Sequence, residues 1–175
     1  MLRKILSQKY NMDTIQKSLQ SFVFPFALYA GLTRVIIDIV PKILGLNNVY
    51  YFSFYICLIL EILLIIYVTK HYKAANKNNL TSQEGLKIGI IIMMVIGILF
   101  SISSFVYDTY INPEFQKNII ENLNNEIVLA TKNKIEEGQK NPSILGVFFV
   151  IIRFIMTGFL ISAITTSFFK TKTDN

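Results

Sequence analysis

Charge is scarce in this chain: 16% of its 175 residues are Asp, Glu, Lys or Arg, against 53% that are hydrophobic. A water-soluble domain of this length carries more charge and shorter apolar runs. Tryptophan is absent, and there is one cysteine and one histidine. A single cysteine excludes an intrachain disulfide, and Cys57 sits inside an apolar run where packing is its ordinary role. His71, in a basic link, reads as an interfacial residue rather than a general base. No metal-ligand spacing, no glycine-rich phosphate loop and no nucleophile with a base at recognisable spacing is found. The expectation is a protein that is not an enzyme, with no cofactor and no metal.

What is present in quantity is hydrocarbon. Four stretches, roughly 18–40, 49–69, 88–107 and 144–169, are long enough to cross about 30 Å of bilayer as helix. The formal charge of +6 could suggest nucleic acid, so its placement decides. The segments before span one, between spans two and three, and after span four together hold ten basic residues and three acidic ones. The remaining links hold five and six. This is the positive-inside pattern; it places both termini of a multi-pass protein in the cytoplasm and argues against a nucleic-acid partner. Basic residues ahead of "FALYAG" invite a signal-peptide reading. The leading segment is long, Leu28 stands two residues before Ala30, and the apolar run resumes beyond Arg34, so a retained helix is expected.

The sequence divides into a cytoplasmic, interfacial segment at 1–17, a four-span membrane domain at 18–170 and a cytoplasmic tail at 171–175. Pro25 should perturb the first helix, and Pro41 with Gly45 should end it. Thr81 or Ser82 can cap the third helix. Gly85, Gly89, Gly97 and Ser101 form a small-residue seam, and Gly158 with Ser162 offers a matching face in the fourth span. Such seams serve folding and association alike, so Gly89, Gly97 and Ser101 are also candidates for contact with a second copy or another membrane protein. In the link after span three, Asn112 and Pro113 look like a helix start and Gly138 like a stop, with Phe115, Ile119, Leu123 and Ile127 recurring every four residues. An amphipathic extracytoplasmic helix over 112–138 is therefore expected between spans three and four of an all-α membrane bundle, with its 113–137 portion a second candidate partner surface.

Ionisable residues inside a bilayer are expensive and mark sites by default. Arg34 and Asp38 lie one turn apart in "LTRVIIDIVPK" and read as a local pair near the outer boundary. Glu61 is harder to place. It falls near the middle of span two, where a carboxylate needs a cation or water. At about 1.5 Å per residue, Arg34 and Arg153 both stand about 24 Å above the inner end and Glu61 near 14 Å, a gap of about 10 Å that long side chains cover if helices tilt. The expectation is an intramembrane polar network of Arg34, Asp38, Glu61 and Arg153, with Tyr29 and Asp108 as contributors. A static network gives the bundle register. A functional one, for transport or proton coupling, would use Glu61 as a protonatable switch beside two arginines able to hold an anion.

The stretches "FALYAGL", "ISSFVYDTYINPEF", "NPSILGVFFVIIRFIMTGFLISAI" and "FFKTK" together resemble an uncharacterised bacterial family of small four-span membrane proteins, known as domain of unknown function 4199, with "YINPEF" the best local match. The resemblance implies an integral inner-membrane topology and carries no catalytic residue. The leading functional expectation is a scaffold or accessory protein; the alternative is a small transporter or ligand-binding protein built around Glu61, Arg34 and Arg153.

Overall fold

A computed structural model describes residues 2–115 and 143–171, with the side chains of 2–18, 47, 48 and 51 left out. The helices are α1 (Leu2–Ile43), α2 (Asn47–Ala75), α3 (Ser82–Val106) and α4 (Ile144–Phe169), and a π-helical turn, Tyr107–Ile111, prolongs α3. Each contains a segment long and apolar enough to span a bilayer: Leu19–Ile43, Phe52–Ala75, Ser82–Ile111 and Ile144–Phe169.

Local chemistry sets the ends. Pro41 falls inside the last turn of α1 rather than ending it. The stop comes at Gly45, whose φ of +67° suits a residue without a Cβ, and the Leu46 amide closes the turn on the Pro41 carbonyl at 2.9 Å. Thr81 caps α3 in a capping box: its hydroxyl accepts from the Glu84 amide at 3.2 Å, and its own amide donates to Glu84 Oε2 at 2.8 Å. Ser143 caps α4 by accepting from the Gly146 amide.

Helix α3 is the spine. Its face of Gly85, Ile88, Gly89, Ile92, Met93, Ile96, Gly97 and Ser101 is buried against α1 and α4. At the crossing with α4 the backbones nearly touch, since a Cβ on Gly158 would stand 2.6 Å from the Gly89 carbonyl oxygen. Ser162 donates into this seam, to the Gly158 carbonyl at 2.6 Å. The seams of small residues thus meet within one chain. The inner half is filled by Leu19, Val23, Ile65, Val68, Ile88 and Ile92. At its inner end, Thr171 donates its amide to the Leu80 carbonyl and its hydroxyl to the Asn78 carbonyl, which ties the end of α4 to the α2–α3 link. The outward surface, including Phe52, Ile59 and Leu63 on α2 and Phe149, Ile152 and Leu160 on α4, is exposed and apolar, as lipid contact requires.

One expectation is corrected. Among the described residues, no amphipathic helix stands between the third and fourth spans. Asn112, read as the start of such a helix, instead ends the π-helical prolongation of α3, its amide donating to the Tyr107 carbonyl at 2.9 Å. Span three runs on as helix past the predicted boundary, so Asn112 lies at its C-terminal end. Residues 116–138 of the predicted helix lie outside the described residues.

Candidate functional site

The charges of the spans gather as two clusters in the half of the bundle that holds the α1–α2 link, the outer half on the predicted orientation. The deeper one joins α1, α2 and α4. Arg34 donates through Nη1 to Glu61 Oε1 at 3.2 Å, and both side chains are buried. The Arg34 guanidinium also lies 4.8 Å from the centroid of Phe100 and 5.7 Å from those of Phe54 and Phe154. Aromatic faces of this kind attract a desolvated cation, so Arg34 is held by rings as well as by its carboxylate. Beside the pair is a cleft of about 30 Å³, lined by Arg34, Phe54, Leu58, Glu61, Met93, Arg153, Phe154 and Thr157. Arg153 faces it from α4 with its guanidinium 5.4 Å from the Phe54 ring. Among the described residues no carboxylate lies within ion-pair distance of Arg153.

The second cluster stands two turns higher on α1. Lys42 Nζ is 2.9 Å from Asp38 Oδ2 and 3.4 Å from Asp108 Oδ1, and it donates to Ser104 Oγ at 3.2 Å. Ser104 in turn donates to Asp108 Oδ2 at 3.1 Å. Tyr50, Tyr107 and Phe115 surround the ammonium at 5.3–5.6 Å from their centroids. Lys42 is 3% exposed and Asp108 2%. The π-helical turn begins here and carries Tyr107 and Asp108, both buried, to the bundle interior.

The predicted polar residues are therefore divided. Arg34 and Glu61 form one pair, with Arg153 across the cleft, while Asp38 and Asp108 belong to Lys42. The local Arg34–Asp38 pair read from the sequence gives way to Asp38–Lys42. Helical side chains lean toward the helix N-terminus, which in α1 is the inner end. Arg34 accordingly reaches down toward Glu61, and Lys42 reaches down onto Asp38, an acid-before-base pair at the favourable four-residue spacing. Tyr29 is 73% exposed and takes no part beyond its carbonyl, which accepts from Thr33. Lys42, which follows Pro41 and falls by position among the outer-link charges, is instead buried, and Ser104, Tyr50, Tyr107 and Phe115 gather around it. The available signal was the Asp38–Lys42 spacing.

Chemically, the cleft sets two guanidiniums against one carboxylate, and the Lys42 cluster sets one ammonium against two. The six charges cancel, but each cluster is unbalanced by one. Among the described residues, no three of His, Cys, Asp and Glu converge as a metal would require.

A family model described as a protein of unknown function, DUF4199, matches residues 25–171, which include every charge of both clusters. Neither the search of curated proteins nor that of solved structures returned a match. Four apolar helices and this match give one conclusion: the chain is a multi-pass bacterial inner-membrane protein and belongs to the DUF4199 family.

Proposed function

We propose that the protein is a ligand-binding membrane protein or small transporter, and that it holds an anion in the cleft between Arg34 and Arg153. The observation that carries this reading is Arg153. A guanidinium within a span is costly, and among the described residues this one has the Phe54 ring beside it and no carboxylate to balance it. Glu61 fixes Arg34 and leaves the cleft one positive charge in excess. A scaffold role gives no use for a guanidinium left without a carboxylate at the mouth of a cleft. The reading assigns these residues to binding and not to bond making, and so keeps the protein outside the enzymes.

The test is ligand-linked stability. Protein reconstituted in nanodiscs is unfolded thermally against chloride, inorganic phosphate, acetate and octanoate. An anion that binds the folded state raises its stability by about 2.7 kcal/mol at a hundred times its dissociation constant. At least one of these anions should raise the midpoint of the wild type and leave Arg153→Gln unmoved. Equal shifts in both proteins, or none in either, would refute the proposal.

A further inference from the structure

On that reading of the cleft, we infer that its ligand is a long-chain carboxylate that arrives from the bilayer through a lateral opening between α2 and α4. The exposed members of the lining, Phe54 on α2 and Arg153 on α4, place the mouth between these two helices, with Leu58 and Thr157 half-buried beside them. Arg153 lies nine residues along α4 from Ile144, about 14 Å below the outer end of that helix. At 26 residues α4 is about 39 Å long and overhangs about 30 Å of hydrocarbon by about 4–5 Å at each end, which leaves Arg153 about 9 Å inside the boundary. The mouth therefore opens onto acyl chains and not onto water.

Among the described residues, the bundle interior is closed on both sides of the cleft. Above, Lys42 is bound by Asp38, Asp108 and Ser104 and packed among Tyr50, Tyr107 and Phe115. Below, the apolar core of Ile65, Val68, Ile88 and Ile92 fills the bundle, each 0% exposed. Through that interior, a solute in water reaches Arg34 only by breaking one of these layers. A molecule already dissolved in the bilayer needs only to slide its head between two helices.

Size and charge narrow the class. A volume of about 30 Å³ has room for about two water molecules, and so for a head group with two oxygens. Pockets that enclose whole ligands run to about 300–1,000 Å³, so the remainder of this ligand stays in the lipid. An excess of one positive charge fits a monoanion. A carboxylate meets both conditions, with its oxygens between Arg34 and Arg153 and its first methylenes against Phe54 and Leu58.

The experiment is photolabelling in nanodiscs with a diazirine-bearing hexadecanoic acid, with the matching hexadecanol as neutral control and peptide mapping of the adducts. The acid should label the facing segments of α2 and α4 at least about tenfold more than the alcohol, since a charge-assisted hydrogen bond contributes about 1.5–3 kcal/mol. Arg153→Gln should erase the difference. Leu58→Trp, which fills the mouth and keeps both arginines, should erase the labelling in protein that still unfolds cooperatively. Acid and alcohol labelling alike, while acetate or octanoate still shifts the wild-type midpoint, would overturn lateral access and leave the anion site standing. No labelling preference and no midpoint shift would bring down both. Selective labelling by a diazirine lysophosphatidate in place of the acid would overturn the carboxylate class.

Discussion

Replacing Lys42 by Met tests whether the outer cluster is a buried ionic unit. The substitution keeps the length and most of the volume of the side chain and removes its charge. Asp38 Oδ2 and Asp108 Oδ1 lie 2.9 and 3.4 Å from the ammonium. At an effective dielectric of about 20 these contacts amount to about 6 and about 5 kcal/mol of gross attraction. Desolvation of the three charges offsets much of that, and removal of one partner from a buried ionic group typically costs about 3–5 kcal/mol. Lys42 also forfeits three ring contacts, which places Lys42→Met toward the upper end of that range. The assay is reversible unfolding in mixed micelles with rising dodecyl sulfate, followed by far-ultraviolet circular dichroism. A companion protein carrying Lys42→Met, Asp38→Asn and Asp108→Asn removes all three charges and should recover most of the loss, because the penalty arises from two carboxylates left without a cation. A loss below about 1 kcal/mol for Lys42→Met, or a companion less stable than the single variant, would refute the picture of a dry, interdependent cluster.

Three further outcomes follow from particular contacts. Gly158→Ala sets a methyl group 2.6 Å from the Gly89 carbonyl oxygen, where backbone and not a flexible side chain must yield, and should cost about 1–3 kcal/mol in the same unfolding assay. Glu61→Gln raises the cleft's excess from one positive charge to two, so it should lower stability while tightening the dissociation constant for whichever anion shifts the wild-type midpoint; weaker binding in this variant would contradict an anion seated between the arginines. With Cys57 replaced by Ser, single cysteines at Leu44 and Asn78 should respond oppositely to an impermeant thiol reagent outside intact cells, Leu44→Cys labelling and Asn78→Cys not, and equal labelling would overthrow the arrangement of spans.

The spans were readable because hydropathy over about twenty residues reports a solvent, and the solvent is what fixes a membrane helix. Caps were readable for a similar reason: Thr81 and Glu84 satisfy each other within one turn and need nothing from the rest of the chain. Ion-pair partners were not, since they depend on where one helix lies against another. Arg34 and Asp38 are neighbours in sequence, yet the Arg34 guanidinium finds Glu61 on a different helix. The presence of Arg34, Asp38, Glu61 and Arg153 in the spans could be read from spacing; their division into two clusters required helix register and side-chain lean. Lys42 escaped because residues after Pro41 look like a link, whereas α1 runs to Ile43 and keeps Lys42 3% exposed. Asn112, read as the first residue of a helix after span three, instead ends the π-helical prolongation of α3 through its backbone amide.

Arg153 separates a structural from a functional account, because the two predict opposite signs for one substitution. An arginine at the centre of a spanning helix costs about 2.5–3.5 kcal/mol to insert, less as it nears the headgroups. Arg34 offsets that cost through Glu61 and three rings. Arg153 has the Phe54 ring and its own reach, and replacement by Leu would put an apolar side chain onto a surface already apolar on either side, at Ile152 and Met156. Arg153→Leu should therefore stabilise the folded protein by about 1–2 kcal/mol in the unfolding assay, while it abolishes the anion-dependent shift. Stability gained as binding is lost is the signature of a residue kept for a ligand. A loss of about 1 kcal/mol or more would instead make the guanidinium a brace between α4 and α2, and the cleft a by-product of packing.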